Sequence, residues 1–130
     1  MNTKSLLGIL AATAWIGISE FVRNQLLFNK LWVEHYKKLG IVFPSTPTHG
    51  AVWGIWSLAF AILIYFLVQK YSLLQTTILA WLAGFVMMWL VIGNLNVLPY
   101  KLLWFAVPLS LLEAFVAAWI LLKLTGHSHD

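Results

Sequence analysis

The stretch LLWFAVPLSLLEAFVAAWILLKL, residues 102–124, decides the fold class of this chain. A helix of about 20 apolar residues crosses the hydrocarbon core of a bilayer, and the only charge here before Lys123 is that of Glu113. Glu113 therefore falls near the membrane midplane, where an acid costs about 2.5–3.5 kcal/mol. Acids at this depth usually face a bundle interior or a wet cavity, so Glu113 is the first candidate functional residue.

The composition of the whole chain also indicates a membrane protein. The 130 residues are 62% hydrophobic and only 9% charged, whereas a soluble domain carries about 25% charged residues. The net charge of +4 comes from basic residues scattered beside apolar runs. We therefore expect contact with the lipid bilayer and no nucleic-acid-binding face. The absence of cysteine excludes disulfides and thiolate metal sites.

Apolar runs outside residues 102–124 predict three more membrane spans. We expect an all-α membrane protein, a four-transmembrane-helix bundle that forms one domain over residues 1–130, with spans at about residues 5–28, 50–68, 73–98 and 102–124. The very short links after the second and third spans predict antiparallel neighbours. The first run also resembles a signal peptide, but polar residues 19–25 followed by further apolar residues favour a retained span.

The long link between the first two spans predicts an amphipathic helix at about residues 30–39. At 100° per residue, Trp32, His35 and Tyr36 share one side, while Lys30 and Glu34 lie on the other. Such a helix lies in the headgroup plane with its apolar side down. It serves either as a surface helix or as a gate over a cavity.

The distribution of basic residues predicts the orientation of the bundle. Four spans place both termini on one side and the long link on the other. Lys4, Lys70 and Lys123 belong to the terminal side, and the link side has Arg23, Lys30, Lys37, Lys38 and Lys101. The positive-inside bias then predicts a cytoplasmic link and both termini outside.

Small residues recur at helical spacing in three spans, as close backbone packing requires. The second span begins with the GxxxG pattern of Gly50 and Gly54 and continues through Ser57 and Ala61. The third has a stripe of Thr77, Ala80, Gly84, Met87, Val91 and Asn94, and the fourth has Ala106, Ser110, Ala114, Ala117 and Ala118. These stripes predict a tight bundle, and they place Glu113 toward a neighbouring helix.

The remaining intramembrane polar residues gather in the half of the bundle beside the long link. Glu20 and Asn24 share a stripe of the first span, and Arg23 is near enough to Glu20 to form an ion pair. Glu20 and Glu113 differ in depth by only about 5 Å. Asn94 and His49 enter from the same side. This distribution predicts a polar pocket that opens beside the long link and ends near Glu113.

Two interpretations of this pocket stay open. In the functional one, Glu113 and Glu20 bind a cation or proton, and Arg23 gates or neutralises them. In the structural one, Glu20 and Arg23 form an interfacial ion pair, and Glu113 is protonated or hydrogen-bonded to Asn94.

No pattern in the sequence indicates catalytic residues, a metal site or a cofactor. His127, His129 and Asp130 are metal-capable but lie in a C-terminal tail without a rigid scaffold. His35 and His49 come from one link, which does not suit axial ligation of a haem between helices. We expect none of these groups.

Residues 15–40, with Phe-Asn-Lys-Leu-Trp at positions 28–32 and Leu-Gly at 39–40, form one recognisable segment. Gly-Asn-Leu-Asn-Val-Leu-Pro at 93–99 forms another. Both resemble small, uncharacterised four-span bacterial membrane proteins, a domain-of-unknown-function group. The resemblance implies a bundle in the bacterial inner membrane and brings no assigned activity.

The leading functional prediction is a small carrier that binds or transports a small polar or cationic ligand or a proton. Four short spans with a carboxylate in the first resemble the small multidrug exporters, although the long link, Arg23 and Glu113 depart from them. Such a carrier is expected to form a homo-oligomer. The first alternative is a structural or accessory subunit of a larger membrane complex. The other is a membrane enzyme, because Glu20, Arg23 and Asn24 resemble the cluster of four-span glutathione-dependent enzymes, on a different span.

Overall fold

A computed structural model describes residues 2–126, and every regular element in that range is helical. Four of the five helices are long and apolar enough to cross a membrane. The helices are α1 (Thr3–Leu27), α2 (Asn29–Lys38), α3 (Pro47–Val68), α4 (Leu73–Asn94) and α5 (Tyr100–Thr125). This architecture confirms the predicted fold class, including a short helix in the first link.

Local sequence fixes the ends of these helices. Pro47 occupies the first turn of α3, where its missing N–H is not needed. Ser72 and Gln75 form a reciprocal capping box at the start of α4, which stabilises the short turn after α3. Gly40 and Gly126 adopt positive φ angles of 78° and 76° just beyond α2 and α5. Glycine adopts this conformation without steric strain, so it ends a helix cleanly.

The third span is shorter than predicted. The helix ends at Asn94, not near residue 98, because Asn96 turns the chain with a φ of 64°. Leu98 then folds back into the protein and is 1% exposed. It packs in a small apolar cluster with Phe28, Leu102 and Ala106. The apolar residues after Asn94 therefore bury themselves in a turn, which hydropathy alone does not distinguish from a helix.

The four long helices form a bundle in which α3 and α5 also contact each other. α1 packs mainly against α3 and α5, and α4 packs mainly against α5 and α3, so α1 and α4 occupy opposite corners. The start of α1 adjoins the end of α5, since a Cβ added at Gly8 would lie 3.2 Å from Leu121 Cδ2. Both of these helix ends therefore share one side of the bundle, as the four-span topology requires.

Two of the long helices contain a wide π turn, at Val22–Leu27 in α1 and at Leu82–Val86 in α4. A π turn inserts extra backbone and changes which residues face the bundle afterwards. In α4, Thr77 and Ala80 before the turn are buried, while Met87 and Val91 after it are exposed. The prediction of one continuous stripe along α4 is therefore wrong.

The other two small-residue stripes have different outcomes. The α5 stripe is confirmed, because Ala106, Ser110, Ala114, Ala117 and Ala118 are all buried. On α3, Ser57 and Ala61 are buried, but Gly50 and Gly54 have no neighbouring atom within 4 Å of an added Cβ. The prediction of close packing at this GxxxG pattern is therefore wrong within residues 2–126.

Candidate functional site

Arg23 forms the centre of a charged cluster inside the bundle. It lies on the π turn of α1 and is 5% exposed, and it contacts two acids that are also buried. Its Nη2 lies 2.6 Å from Oε1 of Glu20, one turn earlier on the same helix. Its Nη1 donates to Oε1 of Glu113 on α5 at 3.2 Å. Arg23 therefore links the first and last spans through a charged pair.

The second π turn supplies the remaining support for Arg23. Phe85, within Leu82–Val86 of α4, is fully buried. The guanidinium carbon of Arg23 lies 5.0 Å from the centroid of the Phe85 ring. A cation over an aromatic face is attracted by the ring electrons. Both π turns thus contribute to one site, and π turns often occur at functional sites.

The two acids keep unused hydrogen-bonding capacity. Oε2 of Glu20 accepts a bond of 2.9 Å from the side-chain amide of Asn24. Its Oε1 is close to Arg23 but lacks the alignment of a hydrogen bond, and no other donor in residues 2–126 reaches it. Oε2 of Glu113 is buried and likewise accepts nothing from the described residues. Buried polar atoms are normally paired, so these two oxygens require an explanation.

The charges of the cluster do not balance. With all three groups ionised, Glu20, Arg23 and Glu113 carry one excess negative charge. All three groups are buried, and an uncompensated buried charge is costly. Either a proton on one carboxyl or a cation beside it would restore neutrality.

Indole groups position the cluster from two sides. Trp15 Nε1 donates to the backbone carbonyl of Glu113 at 3.0 Å. Trp32 Nε1, on α2, donates to Oδ1 of Asn24 at 3.1 Å. Because Oδ1 of Asn24 faces Trp32, its amide nitrogen is directed toward Glu20. The amphipathic helix is therefore connected to the carboxyl of Glu20 through a single side chain.

A cavity of about 330 Å³ adjoins the cluster, and we call it the aromatic chamber. Glu20, Arg23 and Asn24 supply its charged and amide groups. Much of the remaining wall consists of aromatic rings, namely Trp32, Tyr36, Phe43, Trp53 and Trp89. Glu113 does not line the chamber and is fully buried behind Arg23. The accessible acid of the pair is therefore Glu20.

A second cavity of about 410 Å³ lies between α1 and α3, and we call it the side groove. Gly17, Gly50, Gly54 and Ser57 are part of its wall. The residues that it shares with the aromatic chamber are Glu20, Asn24, Pro44, His49 and Trp53. Glu20 is thus adjacent to two cavities, and the glycines of α3 leave space for one of them.

The segment from α2 to Pro44 closes the chamber on the link side. Trp32 stacks on Phe43 with ring centroids 5.7 Å apart, and Tyr36 meets Phe43 edge-on at 5.1 Å. His35 Nε2 donates to the backbone carbonyl of Asn96 at 2.8 Å, which joins α2 to the turn before α5. The helix in the link therefore covers the chamber as well as presenting charged residues outward.

The structure brings together most of the predicted site residues. Glu20, Arg23, Asn24 and Glu113 form one connected cluster. His49 is exposed, bonds to Thr46 Oγ1 at 2.7 Å and lines both cavities. It therefore lies near the cluster without touching it.

Asn94 does not belong to the cluster. It is exposed at the end of α4 and lines neither the aromatic chamber nor the side groove. The hydrogen bond between Asn94 and Glu113, one of the two alternatives in the structural interpretation, is therefore not formed, and Arg23 provides the donor instead. The π turn of α4 is the physical reason, because it breaks the stripe that predicted an inward Asn94.

Sequence reasoning missed Phe85 and the aromatic character of the chamber. Nothing distinguishes Phe85 from other apolar residues of its span, so no signal in the sequence assigns it to Arg23. For Trp32 and Tyr36 a signal exists, since both lie on the apolar side of the amphipathic helix.

Metal binding has little support in the described chain. No group of three or more His, Cys, Asp or Glu residues within residues 2–126 is arranged to hold a metal ion. His127, His129 and Asp130 lie outside the described residues.

Comparison with protein-family models, with curated proteins and with solved structures finds no match to this chain.

Proposed function

We propose that the protein binds a small cation or a proton at the Glu20–Arg23–Glu113 cluster and carries it across the membrane. The observation that supports this is the excess of acid over base in a buried site. A purely structural ion pair needs one acid for one base. The second acid adds a desolvated charge that a cation or a proton must compensate, and we propose that this cation or proton exchanges.

The positions of the two acids suggest different tasks. Glu20 lines both cavities, so a ligand reaches it first. Glu113 contacts Arg23 and is shielded from both cavities. A cation at Glu20 competes with Arg23 for that carboxylate, and Arg23 then interacts more strongly with Glu113. A proton on Glu113 and a cation near Glu20 would therefore exclude each other, which is the basis of an exchange.

The location that we propose is the inner membrane of a bacterium, because the sequence resembles four-span bacterial membrane proteins. The proposed orientation has the long link in the cytoplasm and both termini outside. Arg23 is buried and does not contribute to the charge bias, so the remaining support is Lys30, Lys37, Lys38 and Lys101 against three lysines. Since the chain lacks cysteine, labelling of single cysteines at Lys38 and at Lys70 tests the orientation directly.

Proton flux into proteoliposomes tests the transport proposal. The vesicles contain a pH-sensitive dye and experience a pH gradient, alone and against gradients of potassium or methylammonium. We expect the wild type to exceed empty vesicles under at least one gradient, and Glu20→Gln and Glu113→Gln to return to the empty level. Glu34→Gln is the matched control, because Glu34 is an exposed acid on α2. Equal flux in all variants, or none in the wild type, contradicts transport.

A second candidate is an accessory subunit of a larger membrane complex. The supporting observation is the exposed backbone at Gly50 and Gly54, since GxxxG patterns commonly contact another helix. This function predicts that Gly54→Leu changes the mass of the detergent-solubilised assembly while Glu113→Gln does not. A wild-type monomer that co-purifies with no partner contradicts it.

A further inference from the structure

The aromatic chamber has a wall chemistry that an inorganic ion does not use. Alkali and alkaline-earth ions bind to several oxygen ligands, whereas this wall consists mainly of rings and aliphatic groups around Glu20, Arg23 and Asn24. A metal ion that entered would lose its hydration water and gain few oxygen contacts. The chamber instead suits a cation that is itself partly apolar.

The rings form a surface for such a cation. Trp32, Tyr36 and Phe43 contact one another in stacked and edge-on pairs along one wall. Trp53 and Trp89 contribute from α3 and α4. Aromatic faces attract ammonium groups, and alkylated ammonium ions are recognised in aromatic cages of this kind.

Glu20 supplies the counter-ion. It is 4% exposed, its Oε1 accepts no hydrogen bond from residues 2–126, and it lines the chamber. Arg23 also reaches the chamber, but its charge is directed toward Glu20, Glu113 and the face of Phe85. An ammonium ligand therefore meets aromatic faces and a carboxylate whose Oε1 accepts no hydrogen bond from residues 2–126.

We propose that the aromatic chamber is a binding site for a small alkylated ammonium ion, with Glu20 as its counter-ion and the rings as its cage. This inference rests on the proposed function and specifies the ligand class of the same site. The ligand is either a free organic amine or the ammonium headgroup of a lipid.

Calorimetric titration of the whole protein with choline tests this ligand class. We expect choline to bind, and its neutral isostere 3,3-dimethyl-1-butanol to bind about tenfold more weakly. Phe43→Leu keeps an apolar side chain but removes a ring, so it should weaken choline binding about fivefold. Phe105→Leu is the matched control, because Phe105 is 64% exposed and lines neither cavity. Glu20→Gln should weaken choline binding further.

The same titration in nanodiscs separates the two sources of the ligand. At high ionic strength, which screens the anionic surface of phosphatidylglycerol, a free amine predicts equal choline affinity in phosphatidylglycerol and phosphatidylcholine discs. A lipid headgroup predicts weaker choline binding only in phosphatidylcholine, where the lipid competes for the chamber. Either result supports the ammonium site.

Other outcomes overturn the inference. Equal binding of choline and its neutral isostere, or no effect of Phe43→Leu, contradicts the ammonium cage. If proton flux still depends on Glu20 and Glu113 in that case, the proposed transport function survives and only the ligand class fails. If the flux is also independent of both acids, the proposed function fails as well.

Discussion

The two halves of the bundle differ sharply although the same four helices build both. In the half beside the termini, Ala12, Ile64, Val68, Ala118 and Leu121 pack with no exposed surface. In the half beside the long link, charged side chains and two cavities lie between the helices. The first half stabilises the fold, and the second holds groups whose burial costs free energy. The charged half therefore lowers stability and contains the site to which we assign the proposed function.

The backbone shows the same contrast. Both π turns begin beyond the closely packed half, at Val22 in α1 and at Leu82 in α4. They bring Arg23 and Phe85 into contact across the bundle. Regular α-helix thus accompanies dense packing, and the wider turns accompany the charged cluster.

The largest effect on stability is expected from removing the only base of the cluster. Arg23→Met leaves Glu20 and Glu113 without a cation, and losing one partner of a buried ion pair costs about 3–5 kcal/mol. Unfolding in mixed detergent micelles measures this loss. Lys101→Met removes an exposed base as the control. Equal stability of the two variants contradicts the account of a desolvated charged half.

Overpacking the contact between α3 and the π turn of α4 should give the next largest effect. A Cβ at Gly84 would lie 2.5 Å from Cε1 of Phe60, and Phe60 is held by the rings of Trp56 and Phe85. Gly84→Ala should therefore cost about 1–3 kcal/mol in unfolding free energy.

The matched variant for Gly84→Ala is Gly54→Ala, where an added Cβ meets no atom within 4 Å. Helix propensity alone predicts that it stabilises the protein, by about 0.5–1 kcal/mol. Unfolding measurements on both variants use the same micelles. A similar loss of unfolding free energy in both variants contradicts the distinction between the packed backbone at Gly84 and the open backbone at Gly54.

Glu113→Gln tests whether Glu113 has a functional role or only stabilises the fold as part of a structural ion pair. The variant leaves Arg23 with Glu20, which is a balanced pair, so the unfolding free energy should change by about 1 kcal/mol or less. Transport or ligand-linked proton release should nevertheless disappear. A loss of stability as large as that of Arg23→Met identifies Glu113 as a structural clasp.

The smallest effect is expected from a polar contact in the dense half. The Tyr65 hydroxyl donates to Ser5 Oγ at 3.0 Å between α3 and α1. Hydrogen bonds between membrane helices contribute about 0.6 kcal/mol on average, so Tyr65→Phe should reduce stability by about this amount. Tyr71→Phe, in an exposed turn, is the control. A loss several times larger indicates that the dense half depends on polar contacts.

Much of the fold follows from the sequence because hydropathy and helical spacing act locally. The burial of the α5 stripe, with Glu113 in it, follows from 3.6 residues per turn in a continuous α-helix. The pairing of Glu20 with Arg23 follows from their spacing on one helix. These features need no knowledge of the neighbouring spans.

The contacts between spans could not be predicted in the same way. The pairing of Arg23 with Glu113 depends on how far α5 is shifted along α1, which tertiary packing decides. The prediction that Asn94 faces the bundle interior is wrong, because the π turn at Leu82–Val86 changes which residues of α4 face inward after it. Phe43 reaches Trp32 only through the fold of the link, which has no regular period.

Infrared difference spectroscopy of the carboxyl groups tests the central claim most directly. Purified wild type, Glu20→Gln and Glu113→Gln are recorded as the pH is stepped through neutrality and as choline is added. We predict that the wild type shows one protonated carboxyl that loses its proton when choline binds, and that this signal is absent in Glu113→Gln. A carboxyl spectrum that neither pH nor choline changes would contradict an exchangeable charge in the cluster.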